Sequence, residues 1–236
     1  MKSIGISDQG LIRHRNEDSF FIRESQSLFV VCDGMGGHKA GHIASNLAIE
    51  IIARETENLD RHELIKFIDE IIKKANRQIW EAGQNDPSCY EMGTTITAAI
   101  INENEMHIRH IGDSRLYIVR ENRIRQVTRD HTLAEQMLED GLLNAEELAH
   151  TSYNHILTRA LGIEEEVQID HYIESLLVGD IILLCTDGLT DMLADDEILE
   201  IVTEAGENLE QAAEKLVAEA IARGGYDNIT LILICI

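Results

Sequence analysis

The sequence predicts an α+β protein built as a four-layer α-β-β-α sandwich, two stacked antiparallel sheets flanked by helix pairs. Three observations carry that expectation. Strand-like apolar runs recur along the whole chain, too many to lie in one flat sheet. Two separate pairs of amphipathic helices interrupt them. Each helix pair needs a sheet face to cover its apolar side, so stacking two sheets with helices outside both is the economical layering.

Taken in order, residues 3–8 and 19–22 read as short strands, separated by a polar segment that gathers Arg13, Asn16, Glu17 and Asp18. Phe29-Val30-Val31-Cys32 reads as a strand buried on both faces, and it stops at Asp33-Gly34-Met35-Gly36-Gly37-His38. Glycine lets backbone come close to a ligand, so this run sets a carboxylate and accessible carbonyls at a strand mouth. Ile43, Leu47, Ile51 and Ile52 then recur at helical spacing, and a second helix carries Leu64, Phe67, Ile68, Ile71, Ile72, Ala75 and Ile79.

The period changes to that of strands over 94–101, 106–111, 116–120 and 123–127, with Glu121-Asn122 as a hairpin turn, which reads as an antiparallel meander. Gly112-Asp113-Ser114-Arg115 lies between two of these strands. Residues 130–162 are more polar and helical, an excursion over the sheet edge whose start is fixed by Asp130-His131. Strands resume at 169–173 and 181–185, helices follow at 197–203 and 209–223, and a strand from 229 to 236 closes the pattern.

A length of 236 residues suits a single domain spanning 1–236, able to bury about seven tenths of its unfolded surface. No apolar run reaches the roughly 18 residues of a membrane span, and Met1-Lys2-Ser3-Ile4-Gly5 lacks a signal-peptide core, so a cytoplasmic protein away from the membrane is expected. The four cysteines show no C-x-x-C spacing, which argues against a zinc ribbon or a disulfide framework. A formal charge of −23 opposes binding to nucleic acid. Screening limits long-range repulsion of a phosphorylated substrate to about 8 Å, so local charge at a site can prevail.

The chemistry lies in repeated strand-end aspartates. Asp33 follows one apolar run, Asp187 follows Leu183-Leu184-Cys185-Thr186, and Asp227 precedes the final strand. Two carboxylates about 4 Å apart at an effective dielectric near 20 repel by about 4 kcal/mol, a cost that a divalent cation removes. Carboxylate and carbonyl oxygens without clustered His or Cys suit Mg²⁺ or Mn²⁺ better than zinc. Such a site activates water for attack on phosphorus. A cysteine-based phosphatase needs an arginine six residues after the nucleophile, but Cys32, Cys89 and Cys185 are followed there by His38, Thr95 and Asp191. The dinucleotide fingerprint fails as well, since Lys39 stands where its last glycine belongs.

The set Arg13-x-x-Asn16-Glu17-Asp18, Asp33-Gly34-Met35-Gly36-Gly37-His38, Gly93-Thr94-Thr95, Gly112-Asp113-Ser114-Arg115, Thr186-Asp187-Gly188-Leu189 and Asp227-Asn228 resembles the PPM family of metal-dependent Ser/Thr protein phosphatases in its compact bacterial form. The resemblance implies the stacked-sheet fold with two Mn²⁺ or Mg²⁺ ions between the sheets. It implies that Asp33 contacts both ions, that the Gly34 carbonyl joins the second, that Asp187 and Asp227 hold the first, and that Glu17 and Asp18 act through ordered waters. It further implies a third divalent ion on Asp113, Asp187 and Asp191, and a phosphate clamp at Arg13. Water activated by the two metals is expected to attack phosphorus directly, without a phosphoenzyme. Met35 stands where many eukaryotic relatives carry a histidine, so His38 or a water on the metals must protonate the leaving oxygen. Residues 130–162 correspond to the family's flap. The partners implied are proteins phosphorylated on Ser or Thr, the targets of a bacterial Ser/Thr kinase and the kinase itself, met by a monomeric enzyme.

Overall fold

The computed structural model describes residues 1–36, 40–144, 147 and 151–236. Its first part runs β1 (Lys2–Asp8), β2 (Ser19–Arg23), β3 (Leu28–Cys32), β4 (Gly34–Met35), α1 (Gly41–Thr56) and α2 (Arg61–Asn85). Next come β5 (Gly93–Thr94), β6 (Ile96–Asn102), β7 (Glu105–Ile111), β8 (Arg115–Arg120), β9 (Arg123–Gln126) and α3 (Leu133–Glu139). The last part holds β10 (Asp170–Ser175), β11 (Ile181–Cys185), α4 (Asp187–Thr190), α5 (Asp195–Ala205), α6 (Leu209–Ala222) and β12 (Ile229–Cys235).

Two five-stranded antiparallel sheets result, ordered β1-β12-β11-β8-β9 and β10-β7-β6-β3-β2, with β4 and β5 forming a small ribbon. The period of two along each strand sorts side chains into separate layers. Phe29 and Val31 of β3 meet Ile182 and Leu184 of β11 and Ile232 and Ile234 of β12 in a core between the sheets. Leu28, Val30 and Cys32 point the other way, onto Ala44, Ala48 and Ile52 of α1 and Leu64, Ile68 and Ile72 of α2. On the far side Leu183, Leu231 and Leu233 face Ile198 and Val202 of α5 and Ala213 and Leu216 of α6. Three apolar layers between four structural layers are what the α-β-β-α expectation requires.

Helix starts follow local chemistry. Asp60 and Glu63 form a reciprocal capping box at α2, with Glu63 N donating to Asp60 Oδ1 at 2.9 Å and Asp60 N to Glu63 Oε2 at 3.1 Å. Asn208 caps α6 by accepting from Gln211 N.

The expected meander is corrected. β6 pairs with β7 and β8 pairs with β9, but β7 and β8 belong to different sheets. The chain crosses between sheets at Gly112-Asp113-Ser114, where Gly112 has φ +109° and a Cβ would fall 2.5 Å from Thr95 Cγ2. Alternating apolar residues look alike whether the next strand pairs beside or stacks above, so period alone could not separate the two. The expected strand 94–101 is likewise divided into β5 and β6 at Thr95, whose hydroxyl is committed to Asp33 N.

Strand registers place the motif segments at one end of the stack. Asp8 at the end of β1 lies opposite Ile229 at the start of β12, and Ser19 at the start of β2 lies opposite Cys32 at the end of β3. Arg115 at the start of β8 is paired with Cys185 at the end of β11, and Ile96 with Ile111. The segments carrying Arg13, Glu17, Asp33, Asp113, Asp187 and Asp227 therefore leave the sheets together.

Candidate metal centre

Arg13, Glu17, Asp33, Gly34, Asp113, Asp187 and Asp227 line one cavity of about 300 Å³. Asp18 is buried, and its Oδ2 accepts from Thr186 Oγ1 at 2.8 Å, a bond that ties the start of β2 to the end of β11 across the two sheets. Asp191 lines a neighbouring cavity of about 940 Å³ that shares Asp113, Asp187 and His155 with the first. His38 lies outside the described residues.

Each placement has a local cause. The Asp33 amide donates to Thr95 Oγ1 and its carbonyl accepts from Thr95 N and Thr94 Oγ1, all at 2.8 Å, so the main chain of Asp33 is held on three sides. Gly34 packs where a Cβ would fall 2.3 Å from the Gly41 carbonyl oxygen and 2.4 Å from that of Glu17. Close approach of three backbones, not a left-handed φ, is what requires glycine there.

Asn228 has a role that its motif did not disclose. Its Oδ1 accepts from Glu17 N at 2.8 Å, while Nδ2 donates to Gln9 O at 2.9 Å and Arg15 O at 3.1 Å. One side chain thereby fastens the loop that carries Arg13 and Glu17. Arg13 Nη2 donates to Asp227 Oδ2 at 2.5 Å, and the Arg13 side chain remains 54% exposed. That bond, then the Asp227 charge, raises the Arg13 pKa further.

The carboxylates strain against one another. Burial first, then the charges of Asp18, Asp187 and Asp113, lift the Asp33 carboxyl well above its usual range. Burial and the neighbouring Asp191 and Asp227 push Asp187 up to about 6, and burial with the charges of Asp187 and Asp227 pushes Asp18 up to about 7. Asp113 is raised by burial, Asp187 and Asp130. Among the described residues, Asp18 Oδ1 and Asp187 Oδ1 are buried oxygens without a hydrogen-bond partner. Unpaired buried oxygens in a crowd of acids are costly as they stand, and they fit a hard divalent cation, which supplies the missing charge. His155, Asp187 and Asp191 each offer a donor atom within 4.8 Å of the others. His155 stands in no sequence motif; only folding of residues 152–155 over the cavity brings it there.

Arg115, inside the Gly112–Arg115 motif, points away from the first cavity. It grips Asp130 through Nε at 2.9 Å and Nη2 at 2.7 Å, and Gln126 completes the hold on Asp130. The motif thus joins a cavity aspartate to the base of the 130–162 segment.

A family model described as Protein phosphatase 2C matches residues 13–222. A serine/threonine phosphatase, stp, of Listeria welshimeri is 35% identical over 235 residues, covering 97% of this chain and 93% of that protein. The crystal structure of the Mycobacterium tuberculosis serine/threonine phosphatase PstP/Ppp superposes with a TM-score of 0.91 at 33% identity, over 98% of this chain and 97% of that one. The catalytic domain of PstP in complex with two manganese ions gives a TM-score of 0.88 at 34% identity, over 98% and 96% of the two chains.

Proposed function

The chain belongs to the protein phosphatase 2C family, the PPM-type metal-dependent Ser/Thr protein phosphatases, and on that premise we propose which of its residues carry the reaction. It is a Mn²⁺- or Mg²⁺-dependent hydrolase of phosphoserine and phosphothreonine in proteins. When bound, the two cations make water reactive towards phosphorus and neutralise developing charge.

In our reading Asp33, the Gly34 carbonyl, Asp187 and Asp227 would hold the two cations, with Glu17 and Asp18 supporting them through water. Asp113, Asp187 and Asp191 would hold a third. Arg13 binds the phosphate of the substrate, exchanging the planar carboxylate of Asp227 for phosphate oxygens of similar spacing. Asn228 orients that arginine by fixing its loop. His38 or solvent water gives the leaving serine or threonine oxygen its proton. Residues 130–162 act as the flap of one catalytic unit spanning 1–236. We take the partners to be phosphoproteins made by a bacterial Ser/Thr kinase, and the kinase itself, met by a cytoplasmic monomer. The bacterial serine/threonine phosphatases to which the chain is similar support the phosphoprotein partners, and no helix among the described residues is long and apolar enough to cross a membrane.

The observation that carries the assignment is the convergence of aspartates from residues 33, 187 and 227 on one cavity, with a buried oxygen of Asp187 left unpaired. The test is Asp33→Asn, assayed with Mn²⁺ on p-nitrophenyl phosphate and a phosphothreonine peptide. Turnover is expected to vanish and Mn²⁺ binding to weaken in a protein that still folds. Activity like that of the unaltered enzyme would refute the role of Asp33.

A further inference from the structure

His131 has no part in the reaction as derived above, yet it is only 8% exposed and sits where four segments meet. It grips one residue twice: its amide donates to the Gly112 carbonyl at 2.8 Å, and the Gly112 amide donates to its Nδ1 at 3.0 Å. Gly112 itself cannot shift easily, since its φ is +109° and Thr95 closes the space beside it. The turn that presents Asp113 is therefore held between His131 and Thr95.

Burial lowers the pKa of the ring. Because Nδ1 accepts, the single ring proton resides on Nε2, which lies 3.2 Å from both Asp170 Oδ2 and Arg159 Nη1; of the two only the carboxylate accepts it. The other oxygen of Asp170 accepts from Arg159 Nη1 at 2.5 Å, and Thr158 N donates to the His131 carbonyl at 2.8 Å. Leu133 N donates to Ile156 O at 2.8 Å and closes the base of the same segment. Both legs of the flap, β10 and the Asp113 turn thus meet at His131, whose main chain bonds Gly112 and Thr158 and whose ring bonds Gly112 and Asp170.

We propose that His131, oriented by Asp170, is a positioning residue that couples the 130–162 flap to Asp113, so that cation binding at Asp113 and protein-substrate binding at the flap favour each other. The proposal rests on the reading of Asp113 as a cation ligand. Coupling of this kind is reciprocal: what steadies one end must steady the other. A residue that merely braced the fold would lower stability and depress every activity alike.

The test compares the full chain with His131→Ala, Asp170→Ala and Asp170→Asn, using Asp113→Asn as reference. Mn²⁺ affinity is read by calorimetry, amide exchange of 156–160 with and without Mn²⁺, and kcat and KM on p-nitrophenyl phosphate and a phosphothreonine peptide. His131→Ala is expected to weaken the Mn²⁺ site that Asp113→Asn removes by about ten- to hundredfold, the usual range for a residue supporting a metal ligand. It should also abolish the slowing of exchange at 156–160 by Mn²⁺, and raise KM for the peptide more than for p-nitrophenyl phosphate. Asp170→Ala should reproduce these effects, which keeps the test valid if His131→Ala folds poorly, while Asp170→Asn, retaining an acceptor for Nε2–H, should recover them. If the histidine and Asp170→Ala variants keep this site while Asp113→Asn loses it, or lose both activities equally with Mn²⁺ protection intact, the coupling is overturned. If Asp113→Asn removes no Mn²⁺ site, the reading of Asp113 fails and the proposal with it.

Discussion

In the proposed reading, Arg13 serves two anions with one side chain. Its guanidinium rests on Asp227 at 2.5 Å while the side chain is 54% exposed, so a phosphate can reach it without the protein opening. A charge-assisted hydrogen bond contributes about 1.5–3 kcal/mol, so Arg13→Ala is expected to lower kcat/KM by about ten- to hundredfold, mainly through KM, with Mn²⁺ affinity retained. Unchanged kinetics would remove Arg13 from the site. His110 makes the opposite case, a titratable group kept from titrating. It is fully buried between Thr97 Oγ1 at Nδ1 and the Arg129 carbonyl at Nε2, both 2.9 Å, with the His131 ring 4.8 Å away and Asp170 nearby. Burial, then the neighbouring His131, pushes its pKa down to about 3. The unfolded chain therefore binds a proton below about 6.5 that the folded chain refuses, so stability is full above that pH and falls as pH drops towards 3, by at most about 1.4 kcal/mol per unit. Denaturation of His110→Gln should show a shallower loss between pH 7 and 5 than the unaltered protein; equal slopes would contradict this.

At the scale of elements, the strands and the long helices were legible because their apolar periods are regular: Leu28–Cys32, Arg61–Asn85 and Ile229–Cys235 each stand within a residue or two of the pattern that predicts them, or extend it. The crossing at Gly112 was not, because alternation records which residues are buried and not against which sheet. The strand-end aspartates were legible as a set, since turn chemistry and apolar runs mark strand ends. His155 and the stapling by Asn228 were not, since both depend on contacts between residues far apart in sequence. The 130–162 segment is anchored at its legs by Thr132–Leu157 and Thr94–Leu161 bridges, while α3 between them is only seven residues long. It borders the larger cavity with Thr132, Glu135 and His155, beside the one lined by Asp33 and Asp227. Exchanging it for the corresponding segment of another family member is expected to change the ranking of phosphopeptides by kcat/KM while hydrolysis of p-nitrophenyl phosphate changes little. An unaltered ranking would deny it a part in selection.

For the whole molecule, clustered carboxylates are an electrostatic load on the folded state that cations relieve. Mn²⁺ that binds only the folded chain adds about 2.7 kcal/mol at a hundredfold excess over its Kd. Tm should therefore rise with Mn²⁺ and fall back with EDTA, and in Asp33→Asn the rise should shrink; a Tm indifferent to Mn²⁺ would count against cation binding in the native state. Asp33 leaves one sheet, Asp187 and Asp227 belong to the other, and the bond from Thr186 to Asp18 spans them. The cavity that these aspartates line together therefore forms only where the two halves of the sandwich meet. A nascent or damaged chain with its sheets apart would lack that shared cavity, so a complete set of cations would certify that the two halves have docked.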